Sequence, residues 1–163
     1  MDRRSKWIAT ACILALAGAA FSMFRFFGED HAVSEETFFY DLSDKSLFAA
    51  KRDEIPPILG TDHTTEDAVR AVVISTNGHP KDKTSWKIAY LEMYSPELKS
   101  QMLKARTGGG SPSMGRGAAQ EHRFVKRPED KEWSSMMSAE GQHIVSDWAV
   151  PGPDGLSPVV CSP

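Results

Sequence analysis

From Trp7 to Phe24 the chain carries no charged side chain, and that run constrains its fold more than anything after it. Coiled as a helix, the run reaches about 27 Å, near the hydrocarbon thickness of a bilayer. A helix satisfies its own backbone polar groups, which is why it is the form such a run takes in lipid. Trp7 suits one interface and Phe24 the other, with Leu14 between them and Arg25 reaching outward beyond the run. Arg3, Arg4 and Lys6 precede the run, whereas Glu29 and Asp30 come soon after it. The bias of basic residues predicts an N-terminus in the cytoplasm, one span of the cytoplasmic (inner) membrane, and an extracytoplasmic remainder. The rival is a cleaved secretory signal, for which Ala17-Gly18-Ala19 supplies small residues, giving a secreted or periplasmic protein. Cleavage there would leave Phe21, Met23, Phe24, Phe26 and Phe27 near a new N-terminus, a cluster that soluble proteins avoid. Retention as a signal-anchor is therefore favoured, and both readings export the remainder of the chain.

Residues 1–28 are thus read as basic flank and anchor, 29–36 as linker, 37–150 as the exported domain and 151–163 as a Pro-rich tail. That leaves roughly 110–120 residues, one domain with one modest core. Cys12 lies in the span and Cys161 near the C-terminus, so they cannot pair within one chain and the core must hold the domain alone. Cys161, the only exported thiol, is instead a candidate for an intermolecular disulfide and hence a homodimer. Net charge is −3, which gives no bias toward nucleic acid. Acids crowd the stretch from Glu29 to Asp67, and bases the stretch from Lys104 to Arg127.

Thr37–Leu42 and Leu47–Ala50 flank a polar turn at Ser43–Ser46, the pattern of a β-hairpin. Phe38, Tyr40 and Leu42 fall on one face by the two-residue period, and Phe39 on the other. Ile55-Pro56-Pro57-Ile58 reads as an extended connector, and Ala68–Ser75 as a central strand rich in β-branched residues. Trp86–Met93 fits either a strand with Trp86, Ile88 and Tyr90 on one face, or a helix; the strand propensity of Trp, Ile and Tyr favours the first. Ser95-Pro96-Glu97 starts a helix and the glycines from Gly108 stop it. The stretch through Gly117 reads as loop, Glu121–Arg127 as a strand, and Ser138 to about Ala149 as a second capped helix. The expectation is an α+β domain with a mainly antiparallel sheet of about five strands and two helices.

Phe38-Phe-Tyr-Asp-Leu42, Val69–Ser75, Ile88–Glu92 and Tyr94-Ser-Pro-Glu97 resemble a group of uncharacterised bacterial proteins with a single N-terminal membrane segment. The resemblance covers most of the exported part. It implies the anchored architecture and transfers no site residue.

No motif places a nucleophile beside a base, and no catalytic residue, cofactor or metal is assigned. Glu140, His143 and Asp147 share a helix face at ligand-like spacing, but no second ligand segment accompanies them, so a solvated face is the simpler reading. The nearest thing to a binding site is Arg116, Arg123 and Arg127, on a Gly-rich loop and the strand after it. Arginine forks suit an anionic envelope polymer, lipid headgroups or an acidic protein surface; pairing with the protein's own acidic N-terminal half is the competing and stronger explanation. The expected function is binding or scaffolding at the membrane, with an exported enzyme built from dispersed residues as the alternative.

Overall fold

The computed structural model describes residues 34–108, 110 and 113–163, so the anchor positions Trp7, Leu14 and Phe24 lie outside it. Among the described residues, no helix is long and apolar enough to cross a membrane. The hairpin is present as β1 (Glu36–Asp41) and β2 (Leu47–Lys51), paired antiparallel with Phe39 opposite Phe48. Its turn is set by Asp41. That carboxylate is almost wholly buried and accepts from the Ser43 and Asp44 amides, both at 2.9 Å. It also accepts from the Thr61 amide at 2.7 Å, which ties the loop after the proline connector to the hairpin. The loop comes this close because residue 60 is glycine: a Cβ there would collide with Asp41 Oδ2.

β3 (Ala68–Ser75) is central, as its β-branched run predicts, and pairs antiparallel with β1 and with β4 (Trp86–Tyr94). The extended reading of Trp86–Met93 therefore holds, but its face assignment does not. Val72 pairs with Tyr90 and Val73 with Ile88, so Ala89 is bulged. One extra residue reverses the alternation beyond it. Trp86 and Ile88 pack on the same cluster as Leu91 and Met93, while Tyr90 is turned to the opposite face with Glu92 and Tyr94.

Ser95 caps α1 (Pro96–Gly108), its Oγ accepting from the Leu98 amide at 3.1 Å. Ser138 caps α3 (Ala139–Ser146) in the same manner at Gly141, with a 3-10 turn at Asp147–Ala149 after it. Between them lies α2 (Arg116–Glu121), where the sequence reads as loop and then strand. The Ala118-Ala119-Gln120-Glu121 run prefers helix, and it outweighs Gly115 and Gly117. β5 (Arg123–Lys126) pairs with β4, and the two-residue β6 (Ser134–Ser135) pairs with β5. β7 (Val159–Val160) pairs with β3 at Ile74 and Ser75, so the C-terminal stretch belongs to the sheet.

The α+β class stands: among the described residues there is an antiparallel sheet of seven strands in place of about five, ordered β2-β1-β3-β4-β5-β6 with β7 on β3, and three helices in place of two. Ser34–Pro163 form one compact unit. One face of the sheet carries Phe38, Val69, Ala71, Val73 and Leu91, ringed by Tyr40, Leu42, Trp86, Ile88, Met93 and Trp133. The helices pack on the other face, where Leu98 of α1 meets Tyr94 and Ile55 and receives Ala119 of α2.

Candidate functional site

A groove lies where β2, the connector and α1 meet. It holds about 490 Å³ and is open to solvent. Ala50 and Lys51 of β2 form one wall; Ile55, Ile58 and Leu59 of the connector form the floor; Lys99 and Leu103 of α1 form the far wall. The prolines build it: Pro56-Pro57 cannot continue β2 as a ladder strand, so the chain runs extended beneath α1. Lys99 Nζ bridges the Pro57 carbonyl at 2.6 Å and Glu66 at 2.7 Å, which pins α1 to the connector. Arg106 does the same lower down, with Asp53 Oδ2 3.2 Å away. Leu59 is 47% exposed and Leu103 42%, so two leucines stand on the groove's rim in water. No part of this site was visible in the sequence, because its walls come from segments some fifty residues apart, such as Ala50 and Leu103.

The three arginines singled out by the sequence are placed separately. Arg123 donates to Glu92 Oε1 through Nε at 3.1 Å and through Nη2 at 2.7 Å. Glu92 is 5% exposed. Burial opposes the Arg123 charge, but Glu92 outweighs it and holds the guanidinium above its ordinary pKa. Arg127 reaches α3 and the turn after it, donating to Glu140 at 3.0 Å and Asp147 at 3.0 Å, with Asp130 at 3.6 Å. The hydrogen bond to Glu140 leads the causes that raise its pKa. Lys126 turns the other way, over the Trp133 ring at 5.2 Å. Arg116 is exposed at the start of α2. The acids that meet Arg123 and Arg127 all lie beyond Asp67, outside the acidic N-terminal stretch. Glu140 and Asp147, two of the three residues at ligand-like spacing, thus share an arginine, and His143 Nδ1 lies 3.7 Å from Asp147.

Cys161 is 5% exposed within the apolar face, its amide donating to the Val73 carbonyl at 2.8 Å. Burial pushes its thiol pKa up, which lowers the thiolate fraction that exchange chemistry needs. In a Cys12→Ser background, the folded chain should run as a monomer on a non-reducing gel and react with a thiol reagent only in denaturant. Rapid labelling of the native protein would contradict this placement.

The fold brings together one pair that the sequence left apart: Ser95 Oγ lies 2.9 Å from His122 Nδ1. Ser95 Oγ is already the cap of α1, and the same ring nitrogen faces Glu97 at 3.9 Å. A nucleophile–base–orienter relay needs the two ring nitrogens to face different partners. This contact instead fastens β5's entry to the start of α1, where the Ser95 amide also donates to the His122 carbonyl at 2.9 Å.

Much of the acidic N-terminal half proves to be turn chemistry. Asp62 accepts from the Thr64 amide at 2.8 Å and from its hydroxyl, and its pKa falls from 3.8 to about 2. Asp41 is lowered by the Asp44 and Thr61 amides, and Asp82 by the Thr84 hydroxyl and the Asn77 amide. A depressed carboxylate contributes stability that is complete above its unfolded pKa and lost as pH falls through its folded one. The melting temperature should therefore hold from pH ~7 to ~5 and drop between pH ~4 and ~2. Asp62→Asn should flatten that acid limb. An unchanged limb in the variant would remove Asp62 from the account.

No family model, curated protein or solved structure matches this chain.

Proposed function

We propose that the chain is a membrane-anchored, extracytoplasmic binding or scaffolding domain whose working surface is the groove between β2 and α1. The observation that carries the reading is the division of labour among side chains. Arg123, Arg127 and Lys99 are each committed to internal carboxylates or carbonyls, whereas the groove sets Ala50, Ile55 and Ile58 and two exposed leucines among the charged residues Lys51, Glu54, Glu66 and Lys99. An open groove with apolar residues on its floor and rim favours holding a partner over turning over a substrate, since catalysis asks for convergent ionisable groups in an enclosed site. The uncharged run from Trp7 to Phe24 supports the anchor, and the basic flank supports export of the domain.

Two arms test the reading on the full-length chain. A reporter fused after Pro163 should be active only outside the cytoplasm, and the protein should remain in washed membranes at full mass. Purified from those membranes, the wild-type chain should bring down a partner that a Leu59→Glu, Leu103→Glu variant loses, with melting temperatures within about 3 °C of each other. A cytoplasmic C-terminus would defeat the location, and an unchanged set of partners in the variant would defeat the groove.

A further inference from the structure

The strand that walls the groove is also an edge of the sheet. β2 pairs only with β1 among the described residues. Two bonds that bracket it set the direction of its backbone groups. The Asp41 amide donates to the Ser46 carbonyl at 2.9 Å, and the Arg52 amide donates to the Glu35 carbonyl at 2.8 Å. Ser46 and Arg52 therefore turn their groups inward, and by strict alternation so do Phe48 and Ala50. Leu47 and Ala49 turn theirs outward. Lys51 offers its amide outward too, while its carbonyl takes the Glu54 amide at 3.1 Å.

Exposed edges are ordinarily blunted by brevity, proline, bulges or inward charges. The opposite edge obeys this: β6 is two residues long. β2 is five residues, unbulged in its pairing with β1, and contains no proline, its one charged side chain being Lys51 at its end. Its side chains on the helix-bearing side are Phe48, stacked on Phe39, and Ala50, which lines the groove. A strand laid along this edge would alternate its side chains, and every second one would fall on the side where the groove opens. Leu59 and Leu103 would meet it there. On the other side the added strand would run beside Leu47 and Ala49, while Lys51, at the end of β2, also borders the groove. Among the described residues no carboxylate comes within 4.0 Å of Lys51 Nζ, although Glu36 stands opposite it across the ladder. An acidic residue on the added strand would complete a cross-strand pair with it.

We propose, resting on the groove as the working surface, that the ligand is an extended peptide segment. It adds a strand to β2, bonds the outward groups of Leu47 and Ala49, seats alternate apolar side chains in the groove, and meets Lys51 with an acid. Main-chain bonds to an edge supply affinity in such recognition, and pockets for alternate side chains supply specificity. The two halves of the site have different signatures. Leucine-to-charge changes disturb only the groove, and blocking the edge disturbs only the strand pairing.

The probe is a randomised nine-residue peptide library displayed on phage, selected against the full-length chain in lipid nanodiscs. Selection should enrich peptides with apolar residues at alternate positions and an acid at one end. An enriched peptide should slow hydrogen exchange at the Leu47 and Ala49 amides. Ala49→Pro removes an outward amide that β1 does not use, at an edge where proline is tolerated. It should weaken binding about tenfold or more while leaving the melting temperature near wild type. If that variant does not fold, the same question is put to the wild-type protein with peptides N-methylated at the amides facing β2, which should lose binding alike. Peptides that bind Ala49→Pro and tolerate N-methylation, yet lose affinity for Leu103→Glu, would overturn strand addition and leave the groove standing. No enrichment would overturn the peptide ligand, the groove then standing or falling on partner capture by the Leu59→Glu, Leu103→Glu variant, and peptides indifferent to both variants would overturn the edge and the groove together.

Discussion

Replacing Arg123 by alanine should destabilise the domain by about 3 kcal/mol, or roughly 10 °C in melting temperature. The reason is Glu92. Its side chain is 6% exposed and its Oε1 accepts both Arg123 bonds, so the variant strands a carboxylate on the helix-bearing face. The cost lies in the unpaired charge more than in the lost attraction, because desolvating an ion is expensive and its partner only offsets that. A second variant separates these terms. Glu92→Leu together with Arg123→Leu removes both charges and keeps the volume, and it should recover most of the loss. Chemical denaturation of the three proteins measures the difference. If Arg123→Ala alone is within about 0.5 kcal/mol of wild type, the pair is ornamental and Arg123 is released for a partner.

Gly141→Ala should cost about 3 kcal/mol, even though alanine is the better helix former by about 1 kcal/mol. Gly141 sits in the first turn of α3, against β6. A Cβ at this position would overlap the Ser135 carbonyl oxygen and crowd the Met136 α-carbon at 3.0 Å. Those are backbone atoms. They cannot swing aside as a side-chain tip can, so α3 must lift from the sheet. Ile144, 2% exposed, would lift with it, and so would the carboxylates that hold Arg127. Gly117→Ala is the control, since nothing lies within 4 Å of its added carbon; it should leave stability equal or slightly higher. A Gly141→Ala protein as stable as wild type would mean that α3 does not pack this closely.

Both effects concern contacts that no local pattern announces, and the legibility of the fold divides along that line. The hairpin, β3 and the two capped helices were readable because each arises from residues close in sequence: alternation around Ser43–Ser46, a β-branched run, and serine followed by proline or acid. The bulge at Ala89 was not, since period-two reasoning has no term for an extra residue, and a single insertion moved Tyr90 to the other face. β6 exists only because Phe124 and Val125 stand beside Ser135 and Ser134. The acids from Glu29 to Asp67 read as a block of charge, yet Asp41 and Asp62 act singly on nearby amides. The groove was least readable of all. Neither Leu59 nor Leu103 is unusual in its own stretch; only their meeting makes a site, and that depends on the Lys99 and Arg106 clasps.

The most direct question is whether that groove is occupied in the cell. A photo-crosslinking residue placed at Leu103 of the full-length chain, in its native membranes, reports what touches the rim. Met137, 56% exposed and next to β6 at the opposite edge of the sheet, provides the comparison. A partner seated in the groove predicts a discrete adduct from position 103, absent from position 137 and diminished by Leu59→Glu. Adducts that are absent from position 103, or the same from both positions, would contradict it.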